Sequence, residues 1–185
     1  MKLTRLMSVM AIAAPLGSFA SAQSHGAHVH GEADLSVVVD GDKISITLFS
    51  AMYNIVGFER APGTDAERAE LDEARTFLGD GALLFSFDVS AGCVSMASAH
   101  NIPTADAHDH DEANSGEREH GGHGHRDLEA DYSFECANPS RLTRMDTKLL
   151  AAFPRLEKVK AVVLNGNNQS SAVLTSETDL LSMQG

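Results

Sequence analysis

Basic residues are scarce in this chain: Lys and Arg number 14 against 26 Asp and Glu, and they gather into no patch. A surface this acidic repels nucleic acid and anionic lipid and attracts cations. Cysteine is nearly missing too. Only Cys93 and Cys136 are present, and neither lies near the N-terminal cleavage motif, which argues against a bacterial lipoprotein. After the first 22 residues there is no candidate membrane span. The sequence contains no HExxH, no nucleophile elbow and no Gly-rich phosphate loop. Those absences argue against a hydrolase or a nucleotide-binding enzyme. The methionines outside the N-terminal segment (Met52, Met96, Met145, Met183) are scattered and form none of the Met-rich motifs that hold Cu(I).

What is present begins with Met1–Ala22. Lys2 and Arg5 open it, Leu6 to Phe19 is mostly apolar, and Ala20-Ser21-Ala22 is an A-x-A-like cleavage site. These features predict a secretory signal peptide over 1–22. Its removal leaves 163 of the 185 residues, enough for one domain, and takes two of the basic residues with it, so the net charge moves from −12 to −14. Export also bears on the two cysteines. In an oxidising compartment, an even pair flanking a long insertion predicts a Cys93–Cys136 disulfide.

All nine histidines fall in two short clusters. The larger one, His100 to His125, contains His100, His108, His110, His120, His123 and His125, interleaved with Asp106, Asp109, Asp111, Glu112, Glu117 and Glu119. From Ala105 to Asp127 there is no Leu, Ile, Val, Phe or Tyr. Such a stretch buries too little apolar surface to offset the entropy of ordering it, so residues 100–127 are expected to be a mobile His/Asp/Glu-rich loop. Neutral imidazole is the commonest protein ligand for zinc and also suits copper and nickel. The spacings are mixed, His-x-His and His-x-x-His, and the composition points to metal without defining one fixed site.

The smaller cluster opens the chain that follows the signal. His28 and His30 stand two apart, and on an extended strand both side chains point to one face. Glu32 continues that face as an oxygen ligand or a partner of the ligands. His25 would be the third residue after cleavage, a position that suits square-planar Cu(II) or Ni(II) when the terminal amine is free.

Around these clusters the pattern is that of a small mixed domain. Leu35, Val37 and Val39 alternate, Asp40-Gly41-Asp42 turns, and Ile44, Ile46 and Leu48 alternate again, which predicts a hairpin. Met52 to Pro62 is irregular. Thr64 or Asp65 caps a helix whose apolar side includes Leu71, Ala74 and Leu78, and Gly79 and Gly81 end it. Ala82 to Val89 reads as a buried strand. Ala130 to Cys136 alternates as a half-buried strand. Arg141 to Lys148 fits strand or helix, Leu149 to Pro154 a short helix, and Val159–Leu164 with Ser171–Thr175 a strand pair. Thr178 to Met183 is expected to be a last short strand. The class is α+β: a single domain, residues 23–185, mostly antiparallel β with a few short helices and two loosely similar halves joined by the His-rich loop.

The chain resembles the ZrgA-type family of periplasmic zinc-uptake proteins. The pieces that carry the resemblance are HVHGEADLSVVVDG at 28–41, NIVGFERAP at 54–62, AGC at 91–93, FECANP at 134–139 and FPRLEKVKA at 153–161, together with the His-rich insertion between the cysteines. The resemblance implies a periplasmic protein without membrane insertion that captures or buffers Zn(II) and supports its delivery to components of a zinc-uptake transporter. It implies zinc-ligand roles for His28 and His30 and, collectively, for the loop histidines. Two alternatives stay open on residues alone. One is a periplasmic copper or nickel chaperone or resistance buffer. The other is a zinc-dependent hydrolase, disfavoured because most candidate ligands lie where nothing preorganises chemistry.

Overall fold

The computed structural model describes residues 29–102 and 127–184. The expected signal segment 1–22, His25, His28 and the insertion's histidines His108, His110, His120, His123 and His125 lie outside the described residues.

The fold is α+β, as its sequence pattern predicts. Among the described residues nine strands form two sheets. The first hairpin joins β1 (Glu32–Asp40) to β2 (Lys43–Ala51). Gly41 takes the left-handed φ of +64° that this tight turn requires. Both strands alternate buried and exposed residues, because one face of the sheet covers the core and the other meets solvent. β2 pairs antiparallel with β5 (Asp127–Cys136), and β5 with β4 (Cys93–His100). On the other side β1 pairs in parallel with β7 (Lys158–Asn165), and β7 turns back into β8 (Asn168–Leu174). The sheet order is therefore β4-β5-β2-β1-β7-β8. A second, three-stranded sheet packs β3 (Phe85–Phe87), β6 (Arg144–Thr147) and β9 (Leu180–Ser182) in the order β3-β6-β9.

The core lies between the two layers. Leu35, Ile44, Ile46, Leu48 and Leu128 from the large sheet meet Leu78, Leu84, Met145, Leu149, Leu181 and Met183, all fully buried. The longest helix, α2 (Asp65–Leu78), supplies Leu71, Ala74 and Leu78 to this core. It begins with a capping box: Thr64 Oγ1 accepts from Glu67 N–H, and the Glu67 carboxylate accepts from Thr64 N–H.

Three local expectations change, and one further strand appears that the sequence pattern does not show. The irregular stretch after β2 contains a short helix, α1 (Met52–Val56), closed by Gly57 at φ +80°. Ala82–Val89 is not one strand. Asp80 caps a turn of helix, α3 (Gly81–Leu84), by accepting from Ala82 N–H, and only Phe85–Phe87 remains extended. Gly81 thus opens a helix instead of ending one, and it has no room for a side chain: a Cβ there would stand 3.0 Å from Tyr132 and 3.1 Å from Phe134. Within Arg141–Lys148, Arg141 closes a 3-10 turn and Arg144–Thr147 becomes β6, because its partners β3 and β9 sit on either side of it. Cys93–His100, which shows no alternation, is a strand because β5 pairs with it; the register shift between Ser95 and Ala97 erases the two-residue period. The short helix α4 (Leu149–Ala152) and the last strand fall where expected.

Candidate functional site

The register brings particular residues to one end of the large sheet. Glu32 opens β1, Ala51 ends β2, Asp127 opens β5 and His100 ends β4, and β2 pairs Ala51 with Asp127. With strands about 4.8 Å apart, the β1 and β5 starts stand two spacings, roughly 10 Å, from each other. So His30, just before β1, and both roots of the His-rich insertion share this end of the sheet.

His30 sits just before β1, in a turn and not on the strand. Glu32 N–H donates to Val29 O at 3.0 Å, and Gly31 between them has φ +83°. The left-handed glycine breaks the two-residue alternation, so residues 30 and 32 do not follow the one-face rule of a strand. The turn is fixed by Asn54 of α1, which is fully buried. Its Oδ1 accepts from Gly31 N–H at 2.7 Å, and its Nδ2 donates to Glu32 O at 2.8 Å and Ser50 Oγ at 3.0 Å. Gly31 O accepts from the N–H groups of Glu157 and Lys158 at 2.8 and 3.0 Å. Gly57 is the matching constraint: a Cβ there would lie 2.7 Å from the Arg155 guanidinium, which is paired with Glu70 at 2.9 Å. The HVHG, NIVGF and FPRLEK stretches are thus three walls of one corner.

On this corner the His30 ring stacks on Tyr53, centroids 4.2 Å apart and planes 20° from parallel. His30 Nε2 donates to Glu59 Oε1 at 3.1 Å. A carboxylate only accepts, so the neutral ring carries its proton on Nε2 and keeps a lone pair on Nδ1. The side chain is 57% exposed. This is an imidazole oriented by a carboxylate on an exposed side chain.

Glu32 is differently occupied. Its carboxylate lies between Lys158 and Lys160. Hydrogen bonds from Lys158 and then Lys160 hold its pKa below the usual carboxylate value. It is a neutralised anchor between β1 and β7, and a cation would have to displace lysines to reach it.

His100 closes β4 on the inner face, half-buried, and its Nε2 donates to Arg75 O of α2 at 3.2 Å. Its Nδ1 is buried without a hydrogen-bond partner, as is the Tyr132 hydroxyl two strand positions along. Burial pushes the Tyr132 phenol upward. The next residue, Asn101, holds the mouth of the insertion: its Nδ2 donates to Asp127 O and its Oδ1 accepts from Glu129 N–H, both at 3.0 Å.

The Cys93–Cys136 disulfide is present, on directly opposed residues of β4 and β5. It lies at the far end of that strand pair, seven residues from His100, or roughly 24 Å along the strand. The cross-link therefore closes the hairpin's base, and strand pairing with Asn101 holds the loop's ends.

Among the described residues no three His, Cys, Asp or Glu side chains come together as a metal centre. Of the predicted ligands, the structure places His30, Glu32 and His100 and leaves the others outside the described residues. Sequence reasoning missed Tyr53, Asn54, Glu59 and Asn101. An asparagine inside the apolar run Met52–Val56 is the one signal that marked Asn54 in advance.

These features define a small α+β domain that carries an exposed, carboxylate-oriented imidazole beside the roots of a histidine-rich insertion. Among the described residues no helix is long and apolar enough to cross a membrane. The chain belongs to the ZrgA family of zinc uptake proteins, whose family model matches residues 27–183. That family is named for zinc uptake and not for a catalysed reaction. Comparison with curated protein sequences found no match.

Proposed function

We propose that the mature chain, residues 23–185, works in the periplasm, where it captures or buffers Zn(II) and supports its delivery to a zinc-uptake transporter. His28 and His30 supply one set of ligands. His100, His108, His110, His120, His123 and His125 supply the other, with Glu32 as a reserve oxygen ligand once its lysines are displaced. The observation that carries this reading is the shared end of the sheet: the start of β1 and both roots of the insertion lie within a few strand spacings of one another. That shared end supports a joint role for the two histidine-bearing stretches of the sequence. Zinc is the cargo here. Ligands drawn from an exposed corner and an apolar-poor insertion favour exchange over permanent burial. The acidic surface raises the local cation concentration.

The test is zinc titration of the mature protein against a competing chelator. Deleting residues 106–125 lowers the stoichiometry and leaves one site. Adding His28→Ala and His30→Ala to that deletion removes the remainder. Complete loss of binding on the deletion alone would refute a ligand role for the N-terminal pair.

A further inference from the structure

Among the described residues the large sheet ends in two unpaired edges, β4 and β8, and they differ. β4 is broken by the register shift between Ser95 and Ala97, a bulge of the kind that spoils an edge for further pairing. It is also held by α3, since the Ser98 hydroxyl accepts from Gly81 N–H at 2.9 Å. β8 has neither device. Its register with β7 runs unbroken from Val159↔Leu174 to Asn165↔Asn168. Its sequence, NQSSAVL, contains no charge and no proline. Among the described residues, its backbone bonds to β7 alone. Val173 stands 56% exposed on its solvent side.

Charge selects the occupant. The solvent face of the sheet is most acidic on β5, which carries Asp127, Glu129, Asp131 and Glu135 and no basic residue. Toward β8 the sign relaxes: β7 carries Lys158 and Lys160. Two copies joined through β4 would set their β5 strands three spacings apart, roughly 14 Å, with their carboxylates facing across the joint. Joined through β8 they stand nine spacings apart, roughly 40 Å, several Debye lengths at physiological salt.

The geometry points to β8 as the edge on which a second copy of this chain adds its own β8, antiparallel and about a two-fold axis, to make one continuous sheet. Pairing centred on Ser171 sets each Val173 beside a Gln169, so no charge meets its like. Seven residues a side is a small contact against the ~1,000 Å² of a stable interface, so the dimer is reversible and concentration-dependent.

Sedimentation equilibrium of the mature protein over a dilution series tests this. The wild-type mass rises from one copy toward two. The double variant Ser171→Lys, Val173→Lys, at two exposed positions, keeps its circular dichroism and raises the dimer dissociation constant by about tenfold or more. Met96→Lys on β4 leaves dimerisation unchanged. Amide exchange over 168–174 slows as concentration rises. A one-copy mass at every concentration, a dimer indifferent to the two lysines, or a dimer lost in Met96→Lys would overturn the proposal. So would protection of β8 that does not vary with concentration, which would assign the edge to a segment of the same chain.

Discussion

At one end of the large sheet the Cys93–Cys136 disulfide ties β4 to β5, and Cys136 N–H also donates to Asp42 O in the first hairpin turn. At the other end the same two strands are held by backbone pairs and the Asn101 side chain, and the histidine-bearing segments leave from there. The two histidines described at that end make the same choice of tautomer and opposite choices of exposure. Each donates from Nε2 to an oxygen, Glu59 for His30 and Arg75 O for His100, which in a neutral ring leaves the lone pair on Nδ1. The His30 side chain is exposed, whereas His100 holds its Nδ1 buried against α2. Rigidity and availability are thus separated in space. Covalent closure sits where nothing need bind, and the open end carries the candidate ligands on a corner fixed by a buried asparagine.

The separation predicts independent failures. Replacing both cysteines with serine has the largest effect. For partners 43 residues apart, the loss of loop closure costs about 4 kcal/mol, read by urea unfolding. Zinc affinity measured well below the new melting temperature should be unchanged. A parallel loss of affinity would mean that the two ends are coupled.

Asn54→Ala strikes the open end. It leaves buried backbone groups of Gly31 and Glu32 without partners, at a cost of about 2–3 kcal/mol. Because the turn carrying His30 depends on those bonds, zinc affinity should fall together with stability. A loss of stability with affinity intact would show that the corner supports the fold and not the metal.

The two histidines sharpen the contrast. His30→Ala should lower zinc affinity about tenfold or more while the melting temperature holds, because its ring is exposed and its bond to Glu59 lies at the surface. His100→Ala should also lower stability, by about 1 kcal/mol, because it removes a partly buried contact between β4 and α2. If His100→Ala changed affinity alone, the ring would be a ligand and not a strand-to-helix anchor.

The smallest effect is a control that touches neither end. Hydrogen bonds from Arg60 first, and then from the Gly63 and Thr64 N–H groups, pull the Glu67 pKa from 4.5 down to about 2. A carboxyl group depressed in the folded state contributes stability above its unfolded pKa and loses it as pH falls through the folded one. The contribution of Glu67 is therefore present at neutral pH and fades between about pH 4.5 and 2. Glu67→Gln should lower the neutral-pH melting temperature slightly and flatten its decline through that window, with no change in zinc affinity. An unaltered acid limb would show that the cap contributes nothing measurable.

Local chemistry carried much of this in advance. Alternation in 35–48 and 130–136 defined three strands, because one sheet face is buried and the pleat repeats every two residues. A cap at Thr64 or Asp65 marked the start of α2, where the structure chooses Thr64, and the expectation of export with two cysteines foretold the disulfide. The segregation of histidine and carboxylate into two stretches is likewise a property of the sequence alone. Tertiary structure decided the rest. Cys93–His100 is extended only because β5 lies beside it, and β1 takes β7 as a parallel neighbour from more than a hundred residues away. Asn54 is a ligand of the backbone and not a misplaced polar residue, because Gly31 and Glu32 happen to arrive where its amide points. Glu32 follows His30 in a pattern that suggests a shared ligand face, yet Gly31 turns the chain and two β7 lysines take the carboxylate. Periodicity reports which side of an element is buried. Which elements become neighbours, and so which end of the sheet the histidines share, is a sum of long-range pairings that no window of sequence contains.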